Sequence, residues 1–343
     1  AAMMIDSRQL DDGSEIVADI AIIGAGAFGI TLARAMRGSG LDIVLLESGG
    51  LEPDDATQAL YEGATEGIAY NLDSARLRYF GGSTNHWGGW CRPIEPQDFE
   101  ARPWVPHSGW PIGRADLDPF YPEAQEICQL GSFDYDAALL RRLAEPLGLP
   151  GGDVADGFFQ YSPPTRFGER YRDDVSAAAD VRCLLHANVT EIVAAHDTAS
   201  VERLDVATLT GRRFMVRAGT YVLATGGIEN ARLLLASRSV APAGLGNGRD
   251  LVGRYFMEHP IFGPVASWLC DRRDRIAPFY GNYTGLGDAT VRGCLLMTPE
   301  YMAREGRLNT IFTFTPQNDV DYRPGETGGT TVQGAIPLEA DVL

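Results

Sequence analysis

The sequence is short of positive charge: its 343 residues hold 29 lysines and arginines against 46 aspartates and glutamates, a formal net charge of −17. That balance argues against nucleic acid or an anionic membrane surface as a partner. It also has no long apolar run. The longest, between Asp19 and Arg34, is broken by three glycines, so no membrane span is expected. Residues 1–15 have neither a basic region nor an apolar core, so no secretory signal is visible. The expected location is the cytoplasm, or the periplasm if a signal has been removed. Cysteine is sparse. Cys91, Cys128, Cys183, Cys270 and Cys294 are scattered and odd in number, and none falls in a C-x-x-C pair. This excludes a dithiol redox centre and the common zinc patterns, leaving buried free thiols and no expected metal. No internal repeat or low-complexity tract is present.

What is there is a soluble composition, 45% hydrophobic and 22% charged, in a chain long enough for one large domain or two ordinary ones. The organising stretch runs from Asp19 to Gly50. An apolar run, Ile20 to Ile23, enters Gly24-x-Gly26-x-x-Gly29; alanine and leucine then recur at helical spacing to Arg37, and a second apolar run, Ile43 to Leu46, ends on Glu47. The order strand, glycine turn, helix, strand, acid is that of a dinucleotide site. Gly24 makes the tight turn, Gly26 lets the backbone approach a pyrophosphate, and Gly29 lets helix and strand pack closely. The free N–H groups at the helix start face the phosphates. Glu47 would accept from the adenosine ribose hydroxyls and repel a 2′-phosphate.

Further along, a polar helix is expected over Asp54 to Glu62. From Arg78 to Trp90 four glycines, a histidine and two tryptophans crowd together, a composition unsuited to regular structure. Seven of the 20 prolines fall between Pro93 and Pro122 and four of the five tryptophans between Trp87 and Trp110, which reads as a stiff loop walling a site. Asp118 and Pro119 read as the start of a helix with Phe120, Ala124, Ile127 and Cys128 on one face and Gly131 as its stop. A further helix is expected from Ala137 to Leu147, and irregular chain from Pro150 to Tyr171. Strands follow at Val189 to Ala194, Leu204 to Leu209 and Phe214 to Ala218, the last two joined as a hairpin through Thr210 and Gly211. A short buried strand at Tyr221 then meets Thr225, Gly226 and Gly227 and a helix from Glu229 to Ser237, a second backbone approach to the same cofactor. Gly244 to Gly248 has no upstream strand and does not make a second nucleotide unit. Apolar runs at Ile261 to Leu269, Val291 to Met297 and Thr310 to Thr315 read as a mainly antiparallel domain.

Four of these segments in this order resemble the glucose–methanol–choline (GMC) oxidoreductases: the first glycine turn with Glu47, the turn Gly81 to His86, the segment Tyr221 to Leu235, and Val252 to Pro260. The likeness spans Ile16 to about Pro260. It is greatest to the pyranose-oxidase-like and sugar-dehydrogenase branch, through His86-Trp87 in the glycine turn and the segment Ser108 to Tyr121. The resemblance implies an α/β fold. A Rossmann-like FAD-binding domain at residues 16–260 would carry an inserted Pro/Trp-rich loop and helices at 90–175. A partial α+β substrate domain with a mainly antiparallel sheet would occupy 261–343. It implies FAD as the cofactor, held by Gly24, Gly26, Ala27, Phe28, Gly29, Glu47 and Ser48, by Gly81, Gly82, Ser83, Thr84, Asn85, His86, Trp87 and Gly88, and by Val189, Ala224, Thr225 and Gly226. His86 stands where some relatives attach the flavin covalently through an imidazole nitrogen; hydrogen bonding or stacking on the cofactor is the other reading. The implied activity is oxidation of an alcohol, a sugar or glycoside hydroxyl, by hydride transfer to flavin N5.

The family's catalytic base is a histidine in a C-terminal segment, and nothing between Ile261 and Leu343 matches it. The catalytic residue is therefore not assigned. His186 and His196 read as surface residues flanking a strand; His107 and His259 are weak candidates to reach a substrate. Two explanations are open: the chain is one piece of a longer protein, cleaved near Thr327 to Gly334, with its catalytic segment on a companion polypeptide; or it is a flavin-binding or electron-carrying subunit. An NAD-dependent dehydrogenase built on the same turn is a third.

Overall fold

A computed structural model describes residues 3–67, 69–136, 139–141, 147, 149, 152–261 and 278–314. The described residues fall into two compact units, one within Ala1–Trp87 and Thr165–Glu258, the other within Gly88–Pro164 and His259–Leu343.

The first unit is built on a seven-stranded sheet in the order β1-β6-β3-β2-β9-β8-β7. Its strands are β1 (Met4–Asp6), β2 (Glu15–Ile23), β3 (Ile43–Leu46), β6 (Val181–Leu185), β7 (Asn188–Ala194), β8 (Val201–Ala207) and β9 (Arg213–Leu223). From β1 to β9 neighbours are parallel; β9, β8 and β7 form an antiparallel meander. All four residues of β3 are buried, which is why its sequence is a continuous apolar run rather than an alternating one. The helix Ala27–Ala35 follows β2, and Gly227–Ala236 follows β9. The fold is thus the expected α/β, Rossmann-like arrangement, with both glycine turns following adjacent parallel strands β2 and β9.

Several expectations for this unit are corrected. The two separate strands foreseen at Phe214 and Tyr221 are one continuous strand, β9, half-buried from Tyr221 to Leu223 rather than fully buried. Edge strand β1 and strand β6 were not foreseen. The polar helix is Asp55–Gln58 followed by a tight turn at Ala59–Tyr61, with the Asp54 carboxylate accepting from Thr57 N at 2.8 Å. The hairpin at Thr210 and Gly211 is present: Gly211, at φ +92°, donates to Thr208 O.

The second unit holds β4 (Trp90–Cys91), β5 (Val154–Tyr161), β10 (Thr284–Leu286), β11 (Ala289–Met297) and β12 (Ile311–Phe312) in an antiparallel sheet ordered β10-β11-β5-β4, with β12 also on β11. Its mainly antiparallel character is as expected, but its membership is not. Residues 88–164 belong with the C-terminal residues instead of with the nucleotide unit, because β5 pairs with β11 over eight positions, from Tyr161 opposite Thr290 to Val154 opposite Met297. The stretch from Pro150, expected to be irregular, therefore contains the strand that holds this sheet together. The helix expected from Asp118 begins as a tight turn and becomes Tyr121–Ile127; Phe120 is exposed and Gln125 is the buried residue. Gln125 is buried because its amide donates to Gly131 O and Gln160 Oε1. The expectations for Ala137 to Leu147, for Ile261 to Leu269, for Cys270 and for Thr327 to Gly334 lie largely or wholly outside the described residues. Among the described residues no helix is long and apolar enough to cross a membrane, and no cluster of metal-ligating side chains occurs.

Candidate cofactor site

At the ends of β2, β3 and β9 the first unit encloses a cavity of about 470 Å³. Three glycine turns build it. In the first, Gly24 sits at φ +102° and donates to Leu46 O at 2.7 Å, and a Cβ there would stand 2.7 Å from Ala224 O. Only glycine satisfies both the backbone angle and that approach. Gly26 caps the helix and has no atom within 4 Å of where a Cβ would be, so its backbone is bare toward the cavity. Gly29 has the opposite surroundings: a Cβ would meet Gly24 O at 1.9 Å.

The second turn, Gly82–Asn85, is pressed onto the first. Gly81 N donates to Ala25 O at 2.8 Å, and a Cβ on Gly82 would lie 3.1 Å from Gly26 Cα. Side chains brace it: Thr84 Oγ1 donates to Gly81 O, Asn85 Nδ2 to Phe80 O and Trp87 Nε1 to Thr165 O. The third turn follows β9, where Ala224 N donates to Ile23 O and Thr225 N to Asn230 Oδ1.

Thirteen of the nineteen expected cofactor residues line the cavity: Gly24, Gly26, Ala27, Phe28, Glu47, Ser48, Gly82, Ser83, Thr84, Val189, Ala224, Thr225 and Gly226. The other six do not. Gly29, inside the helix Ala27–Ala35, packs against Gly24 of the first turn and Leu45, while Gly81 and Asn85 hold the shape of the second turn. His86, Trp87 and Gly88 follow that turn, His86 exposed and donating its N–H to Ser83 O. Glu47 is buried at the end of β3, its Oε2 accepting from Ala25 N and its Oε1 from Gly49 N, both at 2.9 Å. The carboxylate is thereby fixed while lone pairs remain for a ligand hydroxyl.

The sequence reading missed a charged group in the same wall. Glu229, in the first turn of the helix Gly227–Ala236, is ion-paired with Arg232 at 2.6 Å, Arg78 at 3.1 Å and Arg76 at 3.6 Å. The guanidinium carbons of Arg76 and Arg78 lie 3.9 and 4.7 Å from the centroid of the Tyr61 ring. Burial pushes the Glu229 carboxyl up, but the Arg232 and Arg78 guanidiniums beside it outweigh this and hold it below its ordinary value. The only hint in the sequence was that Glu229 lies in the segment Tyr221 to Leu235 and that Arg76 and Arg78 shortly precede the turn Gly81 to His86.

No histidine lines the cavity among the described residues. His107, His196 and His259 are exposed. His186, expected at the surface, is half-buried over Gly50, and burial together with nearby Arg8 lowers its imidazole below the ordinary value. Cys183 and Cys294 are buried as expected, and burial pushes the Cys294 thiol up to about 12. Cys91 and Cys128 are only half-buried and share a hydrogen bond.

The family model described as DAO, FAD dependent oxidoreductase, matches residues 19–243. Relatives include the fructose dehydrogenase large subunit of Gluconobacter japonicus, 23% identical over 72% of this chain and 59% of its own length. Two others are the 6'''-hydroxyparomomycin C oxidase of Streptomyces lividus, 28% identical over 69% and 53%, and the paromamine 6'-oxidase of Streptomyces fradiae, 26% identical over 76% and 58%. The chain thus spans little more than half the length of these relatives. Among solved structures, pyridoxine 4-oxidase from Mesorbium loti matches with a TM-score of 0.43 and 21% identity over 64% of this chain and 51% of that one.

Proposed function

Because the chain belongs to the FAD dependent oxidoreductase family, we propose that it is the cofactor-holding part of a GMC-type enzyme that oxidises an alcohol, a sugar or glycoside hydroxyl. The observation that carries this reading is the convergence of three separated glycine turns and Glu47 on one cavity. That cavity fits the dinucleotide: Gly26, Gly226 and Gly227 line it and have open space at the Cβ position. The names of the relatives, which carry fructose, paromamine and hydroxyparomomycin, support a sugar-derived alcohol.

Bound FAD supplies a hydride acceptor at N5 for the carbon-bound hydrogen of the alcohol. The chain's own residues bind and orient it. Gly26 admits the pyrophosphate to the helix N-terminus, where unpaired N–H groups stabilise negative charge. Glu47, held by Ala25 N and Gly49 N, takes the adenosine ribose hydroxyls. Val189, in the cavity wall, is proposed for the adenine. A covalent link to the flavin through the His86 imidazole is part of this proposal and rests on the place of His86 directly after the turn whose Ser83 and Thr84 line the cavity; His86 itself is exposed and outside that lining. The second unit is proposed as substrate-binding, and the base that takes the hydroxyl proton as residing on a further segment or companion polypeptide. A denaturing intact-mass spectrum with visible absorption tests this. A chain carrying one FAD mass supports the flavoenzyme and the histidyl link; yellow protein that loses its flavin on denaturation keeps the first and removes the second; colourless protein that takes up no FAD overturns both.

A further inference from the structure

Two cysteines far apart in sequence meet in the second unit. Cys91 lies in β4, Cys128 ends the helix Tyr121–Ile127, and their thiols share a hydrogen bond. No C-x-x-C spacing announces this pair; the fold makes it. Cys91 stands opposite Gln160 of β5, and the Gln125 amide, one turn before Cys128, donates to Gln160 Oε1 at 3.1 Å. The Tyr135 hydroxyl bridges the same two elements, 3.2 Å from Cys91 O and 3.3 Å from Gln125 Oε1. Cys128 N in turn donates to Ala124 O at 3.0 Å. Both backbones are thus fixed by bonds that do not involve sulfur, and the thiols are held together before any reaction.

Exposure separates this pair from the other described thiols. Cys183 and Cys294 are buried, and burial pushes both thiols up, which keeps them unreactive. Cys91 and Cys128 are only half-buried, within reach of a small reagent. The hydrogen bond from Cys91 holds the Cys128 thiol below its ordinary value and makes Cys128 the readier nucleophile.

We propose that Cys91 and Cys128 form a thiol redox site that exchanges with a low-molecular-weight disulfide of the glutathione type and closes to a reversible intramolecular disulfide. Neither cysteine lines the cofactor cavity. The Cys128 thiolate attacks one sulfur of the small disulfide, breaking its S–S bond and releasing one small thiolate. The Cys91 thiol then gives up its proton, and its sulfur displaces the second small thiolate from Cys128. Both protein thiols are oxidised, the small disulfide is reduced to its two thiols, and no other reactant is needed. The new bond joins the two ends of residues 92–127, where most of the Pro/Trp-rich loop lies. Arg92, Glu95 and Asp98, at the start of that stretch, line a cavity of about 430 Å³ in the second unit together with Phe158 and Leu296. Closing the disulfide restrains this wall.

The test equilibrates the reduced 343-residue chain with oxidised and reduced glutathione at stepped ratios, quenches with N-ethylmaleimide, and reads intact mass and an unreduced tryptic map. The parent is expected to add two fewer maleimides than its reduced form, to keep no glutathione, and to revert with dithiothreitol. Its map is expected to join the peptide holding Cys91 to that holding Cys128. Cys91→Ser, which lacks the second sulfur, is expected to accumulate one glutathione on Cys128, and Cys128→Ser to react at Cys91 roughly tenfold more slowly. A parent that stays reduced at every ratio, that keeps glutathione on either cysteine, or that bonds either one to Cys183, Cys270 or Cys294 overturns the site. Equal or reversed rates in the two variants overturn the attack by Cys128. The parent's tryptic map needs neither variant, so it decides the site even where a variant fails to fold.

Discussion

Replacing Gly29 by alanine sets two effects against each other. The position lies inside the helix Ala27–Ala35, where alanine is favoured over glycine by about 1 kcal/mol. Against that, the new Cβ would stand 1.9 Å from Gly24 O, and a backbone oxygen cannot rotate aside as a side chain can. To restore the 3.4 Å of ordinary contact the helix must slide off the glycine turn and draw the buried Ile30 and Ala33 out of their packing. Overpacking of this kind costs about 1–3 kcal/mol. With rigid backbone as the obstacle the upper end applies, so the net loss is about 2 kcal/mol. In a unit of this size that lowers the melting temperature by about 4–8 °C. Gly26→Ala is the matched control: φ is −83° and no atom lies within 4 Å of the added methyl. It is expected to leave the flavin-free protein as stable as its parent and to weaken FAD binding, because the methyl enters the cavity. Thermal unfolding with and without FAD, together with flavin fluorescence titration, reads both effects. A Gly29→Ala protein as stable as the parent, or a Gly26→Ala protein that is unstable without FAD but binds it normally, refutes the reasoning.

Other expectations concern the surrounding framework. Ser237 Oγ accepts from Ile192 N at 2.9 Å and donates to Leu233 O at 2.8 Å, so Ser237→Ala leaves a buried N–H unpaired and costs about 1–3 kcal/mol in urea unfolding. An unchanged unfolding midpoint would count against that bond. Because the native Glu229 carboxyl is held below its ordinary value, its contribution is complete above the unfolded pKa and is lost as the pH falls through the lowered native one. Glu229→Gln is therefore expected to destabilise the protein near neutral pH and to flatten the acid limb of its melting temperature against pH. A parallel acid limb in the variant would assign acid loss to other carboxylates. His86→Ala is expected to abolish any flavin that survives denaturation while leaving the cavity able to bind FAD reversibly, as read by intact mass and fluorescence.

The nucleotide half was legible because its signals are local. Ile20 to Ile23, the glycines and Ile43 to Leu46 lie within one short stretch, and each residue type has a single structural use there. Strand β5 was not legible because Asp156, Gly157 and Gln160 break any apolar alternation. The structure makes sense of them: Leu296 occupies the space a Cβ on Gly157 would need, and Gln160 is buried among amide and carbonyl partners. Gly219 reads as a strand break, yet β9 runs through it with Ala218 and Thr220 paired to β2 on either side. The arginine group was hidden for a different reason. Arg78 and Glu229 are 151 residues apart, and no periodicity reports a pairing over that distance.

The ladder between β5 and β11 also sets an order of events during synthesis. β5 leaves the ribosome with Tyr161, and its partner begins only at Ala289. At about 5–20 residues per second the wait is roughly 6–25 s. Throughout it β5 presents an open edge on which, in the finished sheet, β11 will lie. Gly88–Pro164 is thus a segment synthesised early and completed late, and between the two the nucleotide unit gains its last strands. Nascent chains halted before Ala289 should therefore expose residues 154–161 to protease or chaperone, and chains extended past Met297 should protect them.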